Sequence, residues 1–189
     1  MKFLIAGLGN IGAEYAETRH NIGFDVLNVF TEKHKVSFRT ERLADVCEMK
    51  YKGKILILIK PGTYMNLSGK AVKYWLYKEK ITIENSLTIV DELAFPLDTL
   101  KIKKGGSDGG HNGLKSIQEC LGTTEYPRLR FGIGNDFDKS RQVDYVLGRW
   151  ANSEIETVNK KVMACCEIIE SFVSIGLDRT MNQYNHKKF

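Results

Sequence analysis

The 189-residue chain is 42% hydrophobic and 27% charged, as in an ordinary globular protein, and its 3 Pro and lack of low-complexity runs argue against a long disordered segment. Its longest apolar runs, such as 55–59, are far too short to cross a membrane. The length predicts one domain, residues 1–189, and the net charge of +5 slightly favours a polyanionic partner.

The N-terminus and the cysteines indicate the compartment. Residues 1–7 superficially resemble a signal peptide, but the apolar stretch stops at Asn10 and charge follows at Glu14. We therefore interpret it as the first strand of a cytoplasmic protein. The cysteines at 47, 120, 165 and 166 contain no C-x-x-C pair, so we expect reduced thiols and neither disulfides nor a zinc site.

The first half of the chain alternates strand and helix patterns. A buried strand (2–8) and a loop (9–19) precede a helix (21–33) with apolar residues on one face. Two strands, 46–51 and 54–60, flank Lys52-Gly53, a two-residue hairpin turn. A helix over 67–78 follows.

The second half continues the alternation. It contains a strand (86–90), a more polar edge strand (99–103), a Gly-rich loop (105–110), a helix (113–121) and a strand (128–132). Ser153-x-x-Glu156 is a capping box that opens a long helix to about Ile175, which Gly176 stops, and a short basic helical tail follows. With one antiparallel pair, this order predicts an α/β fold: a single three-layer domain whose mixed, twisted sheet is flanked by helices.

The polar residues that follow the predicted strands suit hydrolysis. Asn10, Asn66 and Asn112 lie in short Gly-containing stretches, His20 follows the first of these, and Asp91 ends an apolar run. Strand exits in an α/β sheet meet at one edge, which favours a shared cleft. Three neutral amides around one His and one Asp suit attack of water on an ester or amide without a metal or a nucleophilic side chain. Asp91 is placed to orient the imidazole, although capping of the next helix competes as a role for His20.

Two glycine motifs formally match other enzyme classes. Residues 7–12 read G-x-G-x-x-G, but a dinucleotide site needs a helix that begins within the motif, and the expected acid near Glu32 lies inside a helix. Residues 105–109 read G-x-S-x-G, but the strand before Ser107 is too polar for a nucleophile elbow, and its candidate partner His186 lies in a charged tail. A Gly-rich turn and a flexible loop are the better interpretations.

A basic stretch precedes and follows the second glycine motif. Lysines occur at 101, 103, 104 and 115 against the single Asp108, and Arg128 and Arg130 lie on a later strand. The stretch is either an ordinary solvated face or a clamp for phosphate groups at the mouth of the cleft.

Taken together, the motifs resemble those of bacterial-type peptidyl-tRNA hydrolases. The similarity runs from residue 1 to about 185, and its longest blocks are Gly7-Leu8-Gly9-Asn10, Thr18-Arg19-His20-Asn21, Lys60-Pro61-x-Thr63-Tyr64-Met65-Asn66-Leu67-Ser68-Gly69, Asp91-Glu92-Leu93, Gly109-Gly110-His111-Asn112-Gly113-Leu114-Lys115-Ser116, Arg128-Leu129-Arg130-x-Gly132-Ile133-Gly134 and Tyr145-Val146-Leu147-Gly148. This family hydrolyses the ester between a peptide and the 3′ ribose of tRNA, which recycles tRNA after premature release from the ribosome.

The resemblance implies roles for the polar residues. His20 is expected to be the general base on water, with Asp91 orienting it. Asn66 is expected to hold water and steady the oxyanion, Asn10 to bind the substrate near the ester, and Asn112 to position water and substrate.

The resemblance also implies how substrate is held. Residues expected to contact the peptide and the 3′ end, in addition to Asn66 and Asn112, are Tyr15, Tyr64, Met65 and His111. Lys103 and Arg130 are expected to grip tRNA phosphates. The family implies tRNA as the partner, a cytoplasmic monomer, and no metal, cofactor or membrane. Tyr64 stands where the family often has Phe, and Ser107-Asp108 adds a negative charge beside the clamp.

A different class of function stays open on the same scaffold. A non-catalytic RNA-binding protein is the rival interpretation, and the presence of Asn10, His20, Asn66, Asp91 and Asn112 argues for the enzyme.

Overall fold

The strands form one mixed sheet in the computed structural model, which describes all 189 residues. They are β1 (Lys2–Gly7), β2 (Arg39–Glu41), β3 (Ala44–Tyr51), β4 (Lys54–Pro61), β5 (Ser86–Glu92), β6 (Leu100–Lys103) and β7 (Arg128–Gly132), in the order β2-β3-β4-β1-β5-β7-β6. Neighbours among β4, β1, β5 and β7 are parallel. The expectation of one antiparallel pair was wrong, because β2–β3, β3–β4 and β6–β7 are all antiparallel.

Six α-helices cover the two faces of this sheet. They are α1 (Ile22–Lys33), α2 (Ser68–Glu79), α3 (Asn112–Leu121), α4 (Gln142–Val146), α5 (Ile155–Ile175) and α6 (Leu177–Tyr184). Alternation along β1 sends Phe3 and Ile5 into a core with α1 and α5, and Leu4 and Ala6 into a core with α2 and α3. The predicted α/β fold with a mixed sheet between helical layers is confirmed. None of these helices combines the length and the hydrophobicity that a membrane span requires.

Several local predictions are settled by the backbone. The hairpin turn is confirmed at Lys52 and Gly53, whose φ angles of 47° and 75° are left-handed. The capping box at Ser153 was wrong: α5 begins at Ile155, and no side chain caps it. The Glu154 carboxylate instead accepts hydrogen bonds from the Ala151 amide and from a guanidinium on another element. The helix α4 and the short strand β2 were not predicted.

The cysteines behave as isolated thiols. None forms a disulfide, and Cys47, Cys165 and Cys166 are buried. Burial raises the pKa of the Cys166 thiol to about 11. The expectation of reduced thiols stays a prediction.

Glycines let α1 rest directly on the ends of two parallel strands. A Cβ on Gly23 would lie 2.3 Å from the Leu8 amide nitrogen and 2.7 Å from the Ile89 carbonyl oxygen. Leu8 in turn donates from its amide to Ile89, which ties the exit of β1 to β5. This contact fixes the turn before α1, which carries His20, beside the end of β5.

The substitution Gly23→Ala tests this close approach. We expect it to lower the free energy of unfolding by about 3 kcal/mol or more, because a methyl group would push against backbone that cannot move aside. Gly62→Ala is the matched control, since its Cβ would meet nothing nearer than 3.5 Å. Urea unfolding midpoints measure both, and equal stability of the two variants would contradict the packing argument.

Candidate active site

A buried carboxylate at the end of β5 joins two imidazoles. Asp91 Oδ1 lies 2.9 Å from His20 Nδ1 and 2.9 Å from His111 Nε2, and Asp91 Oδ2 lies 3.0 Å from His20 Nδ1. The Asp91 side chain is 3% exposed. The structure therefore brings together His20 and Asp91, as the sequence predicted, and adds His111 to the pair.

The hydrogen positions of His111 follow from its neighbours. The residue precedes α3, and its Nδ1 accepts hydrogen bonds from the Gly113 and Leu114 amides at 3.1 and 3.3 Å. An atom that accepts from two amides carries no hydrogen, so the ring hydrogen lies on Nε2 and is donated to Asp91. Sequence reasoning placed His111 in the substrate channel; in the structure it lines the cleft, caps α3 and holds Asp91.

The electrostatics of the cluster prepare His20 to accept a proton. Burial lowers the pKa of His20, but the charge of Asp91 and its hydrogen bond outweigh burial, and the net pKa is raised above its usual value. Burial also opposes ionisation of Asp91, yet the two imidazoles hold its pKa well below the ordinary range. Asp91 is therefore an anion that binds the Nδ1 hydrogen of His20, and the Nε2 atom of His20 is left without a protein partner.

The first amide of the site is locked by a second asparagine. Asn10 exchanges two backbone hydrogen bonds with the side chain of Asn21, at 2.8 and 2.9 Å. The Asn10 Oδ1 atom accepts from the Met65 amide at 2.7 Å, so its Nδ2 group is left to donate to another molecule. Sequence reasoning missed the buried Asn21, although its position directly after His20 was the available signal.

The other two amides begin helices on the opposite face of the sheet. Asn66 lies in the 3-10 turn before α2, Asn112 is the first residue of α3, and both side chains are exposed and unbonded. The two helices are held together where the Gly69 amide donates to Ser116 Oγ at 2.9 Å. Of the three amides, Asn112 lines the same cleft as His20 and Asp91, and Asn10 is bonded to Met65, the residue directly before Asn66.

The predicted substrate contacts divide into exposed and buried groups. The rings of Tyr15 and Tyr64 meet edge to face, with centroids 6.5 Å apart, and Tyr64 is 53% exposed. Met65 is buried beneath the start of α3, where a Cβ on Gly113 would lie 2.6 Å from its sulfur. Tyr64 is thus open to a ligand and Tyr15 is half-buried beside it, while Met65 packs beneath the site.

The unpredicted helix α4 forms one wall of the active-site cleft. The cleft is lined by His20, Asp91 and His111 and, from α4, by Gln142, Val143 and Val146. Val143 is exposed to solvent at the cleft rim. The resemblance covered Tyr145 and Val146, but no pattern predicted this five-residue helix.

The two predicted phosphate ligands are in different environments. Lys103 lies exposed on the edge strand β6 and forms no ion pair. Arg130 is 12% exposed and donates to Glu92 Oε2 at 2.8 Å and to the Ser107 carbonyl at 2.6 Å. Its charge is already paired, and the partner Glu92, which directly follows Asp91, was missed by sequence reasoning.

The structure agrees with setting both glycine motifs aside. No helix begins within residues 7–12, since α1 begins at Ile22. Ser107 is exposed in a loop that ends before α3, and its carbonyl, not its hydroxyl, is engaged by Arg128 and Arg130. Neither place has the strand-to-helix geometry of a dinucleotide site or a nucleophile elbow.

The His20–Asp91–His111 cluster is also the one place with grouped metal-ligand atoms, all within 4.8 Å of one another. A metal at His111 Nε2 would need the ring hydrogen on Nδ1, where it would face the Gly113 and Leu114 amides. The donor set therefore fits hydrogen bonding better than metal ligation.

Known proteins match the chain over its whole length. A family model described as peptidyl-tRNA hydrolase matches residues 4–189. A peptidyl-tRNA hydrolase of Phocaeicola vulgatus is 53% identical over 187 residues, which are 99% of this chain and 100% of the relative. A peptidyl-tRNA hydrolase of Bacteroides fragilis is 52% identical over 187 residues, again 99% of this chain and 100% of the relative. The crystal structure of the Acinetobacter baumannii peptidyl-tRNA hydrolase superimposes with a TM-score of 0.93 at 32% identity, covering 98% of this chain and 95% of the other. From this agreement of sequence and fold, the chain belongs to the peptidyl-tRNA hydrolase family.

Proposed function

We propose that His20 is the general base with which this chain hydrolyses the ester of peptidyl-tRNA, releasing the peptide and free tRNA. The reaction follows from the family, and the observation that supports the base is the pairing of His20 Nδ1 with Asp91. That pairing leaves Nε2 free to take a proton from water at the cleft.

Attack by water creates charge that Asp91 and the amides can balance. As His20 takes the proton it becomes a cation, and the ionised Asp91 stabilises it. The ester carbonyl becomes an oxyanion, to which we assign the Asn66 amide as donor, with Asn10 holding the substrate near the ester and Asn112 positioning water and substrate. A neutral amide meets this charge without the desolvation cost of a buried ion.

Collapse of the intermediate returns the proton. The imidazolium of His20 donates it to the departing 3′ oxygen of the ribose, which regenerates the base. An alcohol leaves more readily than an amine, so one acid–base group and oriented amides suffice for an ester. His111 assists indirectly in this scheme, since it holds Asp91 from the side opposite His20.

The rest of the substrate would lie along the exposed residues of the rim. We assign Tyr15 and Tyr64 to the peptide and 3′ end, and Lys103 and Arg130 to tRNA phosphates, with Arg130 held in place by its pair with Glu92. Residues 1–189 are proposed to act as one domain, as a cytoplasmic monomer whose partner is tRNA and which needs no metal.

Replacing the base tests the proposed reaction directly. We expect wild-type protein in EDTA to release N-acetyl-aminoacyl groups from tRNA and His20→Ala to lose at least about 100-fold in rate, because water is no longer activated. Ser107→Ala is the control and should keep most activity, since only the Ser107 carbonyl is engaged. Unacetylated aminoacyl-tRNA should be spared. No release with tRNA still bound would favour the non-catalytic RNA-binding protein.

Removing Lys103 tests the proposed phosphate contact. Lys103→Ala should weaken binding of tRNA substrates, spare a minimal ester without the tRNA body, and reduce the slope of log affinity against log salt by about 1. Arg130→Ala should act in the same direction, with added disorder of the loop whose Ser107 carbonyl it binds. Lys50→Ala removes an equal charge from the remote strand β3 and should change neither quantity. If Lys103→Ala lost the same activity on the tRNA substrate and on the minimal ester, Lys103 would not be a phosphate contact.

A further inference from the structure

We propose that Arg19 is a positioning residue that fixes the α4 segment (residues 142–154) over the cleft and so governs substrate binding. The inference rests on the proposed function, because it concerns the same cleft. The Arg19 guanidinium has no role in the proposed reaction, yet it makes several contacts with the α4 segment.

The Arg19 side chain is buried against the α4 segment. Its Nη2 donates to Glu154 Oε2 at 2.8 Å, and its Nη1 donates to the Arg149 carbonyl at 2.8 Å, with a weaker contact of 3.4 Å to the Tyr145 carbonyl. The guanidinium carbon lies 4.3 Å from the ring centroid of Tyr145 and 5.2 Å from that of Trp150. The charge is thus paired, hydrogen-bonded and flanked by aromatic faces, as a planar guanidinium allows.

The backbone around Arg19 adds to this attachment. Its amide donates to the Gly148 carbonyl at 3.0 Å, and the preceding Thr18 pairs with Arg149 as an isolated antiparallel bridge. Arg19 and His20 belong to the same 3-10 turn. The proposed base and the attachment point of the α4 segment therefore share one rigid turn.

The α4 segment needs such an anchor. A five-residue helix is not stable by itself in water. Besides Arg19, the segment is held by the Tyr145 hydroxyl, which donates to the Ile133 carbonyl at 2.6 Å, and by the packing of Tyr145, Val146 and Trp150 on the core. The residues that α4 places in the cleft are Gln142, Val143 and Val146, so displacement of the helix would remove one wall of the substrate site.

Glu154 makes the anchor rigid on the other side. Its Oε2 atom also accepts from the Ala151 amide at 2.7 Å, and the residue directly precedes the long helix α5. Arg19 therefore ties the α4 segment to the start of a helix that packs on α1. Neutralising Glu154 would leave the buried Arg19 charge unpaired, which weakens the attachment without touching His20 or Asp91.

Two variants of this pair carry the test. Arg19→Lys keeps the charge but loses the two-pronged geometry, and Glu154→Gln keeps the shape but loses the charge. Both should raise KM for N-acetyl-aminoacyl-tRNA by about tenfold, the loss expected for one charge-assisted hydrogen bond. Hydrogen exchange at the Leu147 and Gly148 amides, which are bonded within the α4 segment, should quicken by a similar factor. The acid limb of the pH profile of kcat/KM should stay at the same pH as in wild type, since His20 and Asp91 are unchanged.

Controls separate positioning from general stability. Glu156→Gln breaks an exposed pair with Lys160 on the same helix and should leave KM and exchange as in wild type. The double variant should be no worse than the more affected single variant, because the two residues act as one unit.

Three outcomes would overturn the proposal. The first is a KM and a hydrogen-exchange rate equal to those of wild type in both variants. The second is a lower Tm with KM and exchange unchanged. The third is a shift of the acid limb of the pH profile, which would mean that Arg19 acts through His20. If Arg19→Lys does not fold, Glu154→Gln decides alone. If wild-type protein hydrolyses nothing, the proposed function fails, and exchange at Leu147 and Gly148 still decides whether Arg19 fixes the α4 segment.

Discussion

The active site depends on one buried carboxylate that two imidazoles share. Isolated in the interior, Asp91 would be costly to ionise, but hydrogen bonds from His20 and His111 compensate it. Each donor comes from a different element: the turn before α1, and the residue that caps α3. The carboxylate therefore joins the two helical layers across the end of β5, and the same bonds fix which nitrogen of His20 faces the substrate.

Buried cations reinforce the strand ends around that carboxylate. Arg19 connects the turn of His20 to the segment that covers it. Lys161, fully buried on α5, donates at 2.6 Å each to the carbonyls of Leu97, in the loop after β5, and of Gly132, the last residue of β7, and burial lowers its pKa to about 7. Arg128, also buried, holds the Gly-rich loop through the Ser107 carbonyl. Buried basic side chains thus donate to backbone carbonyls in loops and at a strand end.

Much of this architecture was predictable because its signals are local. Hydrophobic runs placed the central strands and the long helix, and Lys52-Gly53 specified its hairpin turn. Because strand exits meet at one edge of an α/β sheet, the sequence predicted that Asp91 lies close to His20, as it does.

What escaped prediction depends on contacts between distant residues. His111 contacts Asp91 only because α3 starts where β5 ends, and Arg130 is paired only because Glu92 lies on the neighbouring strand β5. The helix α4 is only five residues long, too short for its apolar residues to define a helical pattern, and it is held by Arg19, more than 120 residues away along the chain. The capping box at Ser153 failed for the same reason, since Arg19 recruits the neighbouring Glu154.

The most direct test of the shared carboxylate is to locate the ring hydrogens by ¹⁵N NMR of the free protein, at a pH where both imidazoles are neutral. The account predicts hydrogen on Nδ1 of His20 and on Nε2 of His111, each donated to Asp91. Hydrogen on Nε2 of His20 would contradict it, because that atom has to be bare to accept a proton from water.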